Sequence, residues 1–265
     1  MKIMIPTYKR VDNQITLKSI PKDLLKLTYL VCYKEEEQDL KKYNINLIVL
    51  PQDIRGIGAK RQYIVDNYPQ ENILFIDDDL NFLKRKDGEI KLEKIKDNQF
   101  KELYDWILMC LEKGFGIVGC SAQGGNNRFP NKFTYFGRIW AIYGINTKIL
   151  NKHNIRYDQI EVMEDFYVVL DLLRWGYRSI INTEFAHGQK ASNQAGGCSE
   201  TRTYEIQKQS ALLLSLKHQP FVNVVKKKSK NWVNMEERYD VKIYWKKAFE
   251  KGNYKKNIRS IYAKN

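Results

Sequence analysis

Apolar runs without polar alternation recur along the first half of the chain, and most are followed by a polar turn and a helical stripe. Lys2 to Ile5 is one such run, stopped at Pro6; Thr28 to Tyr33, Asn46 to Leu50 and Asn72 to Ile76 are three more. Short runs of this kind predict strands buried on both faces, as in a mostly parallel sheet. Ile57 to Asn67, entered through Gly56 and Gly58, predicts a helix. So does the stripe Phe100, Leu103, Tyr104, Ile107, Leu108 and Leu111, which Gly114 stops. Between them, Phe82 to Ile95 alternates around Asp87-Gly88 and predicts a hairpin.

The second half is less regular. Gly116 to Cys120 reads as a strand, Gly124 to Asn127 as a loop, and Phe133 to Ile145 as a strand-like aromatic segment. Phe166, Val169, Leu170 and Leu173 form the buried stripe of another helix, closed by Trp175-Gly176. Ser179 to Phe185 is a further strand and Tyr204 to Leu216 a further helix. This alternation predicts an α/β fold with a mixed, mostly parallel sheet flanked by helices. Residues 1–217 form the expected main domain, and 218–265 a basic, aromatic-rich helical extension.

Charge changes this picture at the C-terminal end. The 265 residues carry a net charge of +14, and from His218 onward thirteen Lys and Arg face four Asp and Glu. Aromatics interleave with those cations, among them Trp232, Tyr239, Tyr244, Trp245 and Phe249. Two readings stand side by side: a polyanion-binding surface, in which lysines neutralise phosphates and rings pack on sugars or bases, and a solvated Lys-rich face. No stretch is long and apolar enough for a transmembrane segment, and the N-terminus does not read as a signal peptide. Cys32, Cys110, Cys120 and Cys198 are scattered without a Cys-x-x-Cys pair, so reduced thiols and a cytoplasmic location are expected.

The densest chemistry follows the fourth apolar run. Asp77, Asp78 and Asp79 stand together at its end, where open α/β sheets gather ligands. Three adjacent carboxylates repel one another unless something cationic sits among them, and a divalent ion shared with substrate phosphates meets that need. Glu161, Glu164 and Asp165 open the helix that ends at Trp175. The helix dipole favours acids there and favours their charged form, which a general base requires.

Four motifs then fall in order: Pro6-Thr7-Tyr8-Lys9-Arg10 after the first strand, Gly56 to Arg61 opening a helix, the aspartate triplet, and Glu164-Asp165 opening the later helix. This order resembles that of the GT-A nucleotide-sugar glycosyltransferases of the family-2-like group, over roughly the first three quarters of the chain. The resemblance implies a nucleotide-sugar site built from Pro6, Thr7, Tyr8, Arg10, Gly56, Lys60, Arg61, Asp77 and Asp78. Gln62 stands where the group usually has asparagine. The resemblance also implies an acid pair, Asp77 and Asp79, that holds Mn²⁺ or Mg²⁺ together with His187, and a catalytic Asp165 assisted by Glu164. An imidazole ligand favours manganese. Lys190 and Arg202, in the Gly-rich segment after His187, are expected to close on the diphosphate.

A narrower resemblance is to the phage and TET-associated glycosyltransferases that place sugars on hydroxymethylated DNA bases. It implies a UDP-sugar donor such as UDP-glucose, double-stranded DNA carrying 5-hydroxymethylcytosine or its glucosylated form as acceptor, and phosphate contacts with an extruded base. The expected DNA-binding residues are Arg128, Lys132 and Arg138, with Lys226, Lys227, Lys228, Lys230 and Trp232 in the tail. A phage-encoded enzyme of this kind works in the cytoplasm of the infected host. Three alternatives keep the same residues: transfer to a surface polysaccharide or lipid-linked acceptor, a non-catalytic DNA-binding protein on this scaffold, and a nucleotidyltransferase.

Overall fold

Two-sided burial of the apolar runs shapes the molecule. A computed structural model of the protein describes residues 1–128, 131–189, 197, 202–228, 237–252 and 254. In chain order its first elements are β1 (Lys2–Pro6), α1 (Lys22–Leu25), β2 (Thr28–Cys32), α2 (Glu37–Leu40), β3 (Asn46–Val49), α3 (Ile57–Asn67) and β4 (Asn72–Ile76). There follow β5 (Asn81–Arg85), β6 (Leu92–Lys94), α4 (Asp97–Glu112), β7 (Ile117–Ala122), β8 (Phe133–Tyr135), β9 (Ile142–Asn146) and α5 (Thr147–Lys152). Last come α6 (Glu164–Arg174), β10 (Ser179–Gly188), α7 (Tyr204–Lys217), β11 (Val222–Lys228), β12 (Glu237–Ile243) and α8 (Trp245–Glu250).

The main sheet runs β3-β2-β1-β4-β9-β7-β10-β5-β6, with β8 paired to β10. β3, β2, β1 and β4 are mutually parallel, β7 is parallel to β10, and β9, β5 and β8 run against them. Side chains alternate between two cores. Met4, Ile73 and Phe75 point to the face covered by residues of α3, α6 and α7. Ile3, Ile5, Leu74 and Ile76 point to the face covered by α4. Each such fully buried side chain stabilises the fold by about 1.5–3 kcal/mol relative to exposure. All of β1 and β4 except their first residues is buried, so the ends of both strands are held rigidly.

Two expectations change, and one element was not expected. Phe133 to Ile145 is not one strand but β8 and β9, because Phe136 (φ 55°) and Ala141 (φ 62°) adopt left-handed backbone between them. The short helix α5 arises where the Asn146 side chain caps the Lys148 N–H, at 3.0 Å, a local signal that the apolar pattern does not carry. The basic C-terminal stretch is not helical throughout. Its described part is a β11–β12 hairpin followed by the single short helix α8, since Val222, Val224, Tyr239, Val241 and Ile243 alternate with polar residues. Phe221, Val222, Val241 and Ala248 join the same core as Ile64 and Val169. Among the described residues no helix is long and apolar enough to cross a membrane, and Cys32, Cys110 and Cys120 are free, buried thiols.

Candidate active site

The aspartate triplet leaves the carboxyl end of β4, directly beside the end of its parallel neighbour β1. Two arginines resolve its charge repulsion. Arg61, on the first turns of α3, donates from Nη2 to Asp77 Oδ1 at 3.0 Å and from Nη1 to Glu164 Oε1. Arg61 and Glu164 are both buried, so this bridge ties the triplet to the first residue of α6. Arg10 donates from Nη1 to Asp78 Oδ1 at 2.7 Å and lies 2.7 Å from Asp79 Oδ2. Asp78 also accepts the Thr7 hydroxyl at 2.6 Å, so it faces inward and fixes the β1 turn. Burial pushes the Asp77 carboxyl up to about 7, against the pull of Arg61.

The turn after β1 meets the start of α3. Lys60 is buried and donates to the Thr7 carbonyl at 2.5 Å, with its ammonium 4.0 Å from the centre of the Tyr33 ring. Tyr8 and Tyr33 pack edge to face, 5.1 Å apart, and Arg55 lies over Tyr33 at 4.5 Å. Gly56, at φ 81°, turns the chain so that its N–H reaches the Tyr33 hydroxyl at 3.2 Å. The result is a cluster of cations and aromatic rings beside the triplet. Glu36, which no sequence motif singles out, joins them here. It follows β2, accepts the Lys9 N–H at 2.6 Å with Oε1, and keeps a buried Oε2 without a hydrogen-bond partner. Burial raises its pKa. The signal was available, since Glu35-Glu36-Glu37 is a second run of acids after a strand.

His187 lies near the end of β10, where Gln189, two residues on, donates to Asp79 Oδ1 at 2.9 Å. His187 is 1% exposed, and both ring nitrogens lack a hydrogen-bond partner. Burial, reinforced by Arg138, lowers its pKa to about 3 and keeps the imidazole neutral. A neutral, unpartnered imidazole is costly unless a ligand satisfies it, and it fits a metal ion's demand for a lone pair. The carboxylates of Asp77 and Asp79 are engaged by Arg61 and Arg10. Among the described residues no group of three or more His, Cys, Asp and Glu gathers closely enough to hold a metal by itself.

Asp165 is the partly exposed member of the Glu164–Asp165 pair, whereas Glu164 is buried on Arg61. One oxygen of Asp165 accepts the Phe166 N–H at 2.9 Å, which leaves the other oriented by the helix start. The preceding Met163 is left-handed at φ 66°, so the backbone is strained where α6 begins. Arg138 lies over the rings of Trp140 (4.5 Å) and Phe166 (4.8 Å), and Trp140 in turn meets His187 edge on at 4.8 Å. The remaining basic candidates are dispersed. Arg128 is exposed after β7, Lys132 pairs with Glu184 at 3.0 Å, and Lys226, Lys227 and Lys228 line β11. Lys190, Lys230 and Trp232 lie outside the described residues.

This architecture is that of GT-A glycosyltransferases. Glucosyl-3-phosphoglycerate synthase from Mycobacterium tuberculosis, solved with Mg²⁺ and UDP, superposes with a TM-score of 0.50 at 11% identity, over 92% of this chain and 86% of that one. A model of the TET-associated glycosyltransferases matches residues 1–197, and the chain belongs to that family. It is a glycosyltransferase. Two curated relatives, the β-glucosyl-HMC-α-glucosyl-transferases of Enterobacteria phages T2 and T6, are each 26% identical over 77% of this chain and 76% of their own length.

Proposed function

We propose that the protein transfers glucose from UDP-glucose to 5-hydroxymethylcytosine, or to a glucose already on it, in double-stranded DNA. The observation that carries this reading is the kinship with the phage T2 and T6 enzymes, whose names specify glucosyl transfer and HMC, over three quarters of both chains. The site supports it. The cluster of Tyr8, Tyr33, Lys60 and Glu36 suits a nucleotide: a ring to stack on, a cation near phosphate, and an unpartnered buried carboxylate oxygen for an N–H of the base. Asp77, Asp79 and His187 would hold Mn²⁺ or Mg²⁺ only together with the donor's phosphates and in place of the arginine contacts, and the ion would neutralise charge on the departing diphosphate.

Asp165 takes the proton from the acceptor hydroxyl as its oxygen bonds to the anomeric carbon. The bond from that carbon to the diphosphate breaks, and UDP leaves with the electron pair. A single base on the acceptor side gives inversion. Glu164 does not exchange protons in this scheme; through Arg61 it holds α6 in register with the triplet. Incubation with labelled nucleotide sugars, with and without chelator, tests the reading. Transfer from UDP-glucose to hydroxymethylated but not unmodified DNA, abolished by chelator, is expected. Failure of every donor to label modified DNA would refute it.

A further inference from the structure

Arg138 is placed by two strained backbones. The segment that carries it runs between left-handed Phe136 and left-handed Ala141, and the Ala141 carbonyl accepts the Asp77 N–H at 2.8 Å. Strain of this kind persists where the surrounding structure over-determines it, commonly at functional sites. The guanidinium is held against Trp140 and Phe166 while its residue remains exposed. A stacked guanidinium is pre-organised: its stem is fixed, and the N–H groups at its edge keep the geometry that matches a phosphate's oxygens. Through Trp140 it touches the His187 side of the site, and through Phe166 it adjoins Asp165.

Burial of the guanidinium lowers the Arg138 pKa, and the charges that act on it include Asp165, Asp240, Arg202 and Arg238. They come from three segments: the start of α6, the residues before α7, and two positions of β12. Arg238 donates to Asp240 at 3.2 Å, and Lys227 lies 3.0 Å from the same carboxylate. With Arg138 itself and Lys227 counted, four cations stand against these two acids, so an added anion would be stabilised there. The hairpin thus brings charge to the side of the site where Asp165 lies, while Arg10 and Lys60 serve the triplet side.

We infer that Arg138, Arg202 and Arg238 seat a phosphodiester of the acceptor strand beside Asp165, with the β11–β12 hairpin as one wall of the acceptor site. The inference rests on the DNA-acceptor reading. The donor diphosphate offers the same phosphate chemistry, and the test separates the two sources.

Binding of fluorescent duplex DNA and of UDP is measured by anisotropy and calorimetry for the full-length protein and for Arg138→Ala, Arg138→Lys and Arg238→Ala, each first checked for an unchanged melting curve. Arg138→Ala should weaken DNA binding about tenfold and lower the slope of log affinity against log salt by about one. Arg138→Lys should recover the salt slope but not the full affinity, because it keeps the charge and loses the planar fork. Arg238→Ala should weaken DNA binding severalfold. UDP affinity should stay within twofold throughout. Weaker UDP binding with unchanged DNA binding would overturn the proposal in favour of a donor seat. DNA binding equal to wild type in both alanine variants, or no DNA binding by the wild type, would also overturn it. DNA binding that depends on Arg138 without any sugar transfer would leave the seat standing and remove the proposed reaction.

Discussion

Arg61 is the side chain on which the site turns. It is separated from Asp77 by 16 residues and from Glu164 by 103, yet it bonds both. The triplet and Glu164-Asp165 stand out in the sequence because acids clustered at a strand end or helix start are conspicuous in one dimension, whereas His187 enters only through the family resemblance. The pairing was not legible, since no local pattern encodes which cation a buried carboxylate will meet. Glu36 was passed over because its neighbours Glu35 and Glu37 make it resemble a solvated acidic turn, whereas its own side chain is buried. Arg61→Met leaves Glu164 and Asp77 without their counter-charge and should cost about 3–5 kcal/mol, read from denaturant unfolding. Asp165→Asn removes a proton acceptor but no buried pair. It should lower kcat by about 10²–10⁴ with KM for the donor nearly unchanged and the melting temperature preserved. Steady-state kinetics beside a melting curve separate the two effects.

At the scale of elements, the strands announced themselves by unbroken apolar runs, and the helices α4 and α6 by their stripes. The tail did not, because its Lys run masks a period-two pattern that becomes decisive only when paired across β11 and β12. The break between β8 and β9 was hidden for a different reason: two left-handed residues, neither of them glycine, carry no signature in composition. Packing between α3 and the segment after α5 depends on Gly58. A Cβ there would lie 2.7 Å from the Tyr157 carbonyl oxygen and 3.2 Å from that of Ile160, and backbone cannot easily retreat. Gly58→Ala should therefore destabilise the protein by about 1–3 kcal/mol despite its better helix propensity. It should also weaken UDP binding by displacing Lys60; an unchanged melting temperature would show that the contact is slack.

Over the whole molecule, buried ionisable groups couple stability to pH. His218 is fully buried, and its Nδ1 lies 3.3 Å from Arg174 Nη1, so it serves as a neutral acceptor. Burial lowers its pKa from 6.5 to about 3. The unfolded chain binds the proton more readily across that window, so the stability His218 contributes is full above 6.5 and is lost as pH falls towards 3. His187 acts in the same sense, while Asp77 and Asp171, raised to about 7 and about 6, oppose it. The comparison with His218→Gln isolates one group: the variant's melting temperature should fall less steeply on acidification than that of the wild type. Mass spectrometry of nucleosides reads the proposed sugar transfer without intermediaries. Hydroxymethylated and glucosylated DNA are each incubated with the protein, UDP-glucose and Mn²⁺, then digested. The expected product is one added hexose on hydroxymethylcytosine or on its glucosylated form, formed more slowly by a factor of about 10² or more with Asp165→Asn. Nucleosides unchanged in mass in both DNAs, from a protein that still binds UDP, would contradict it.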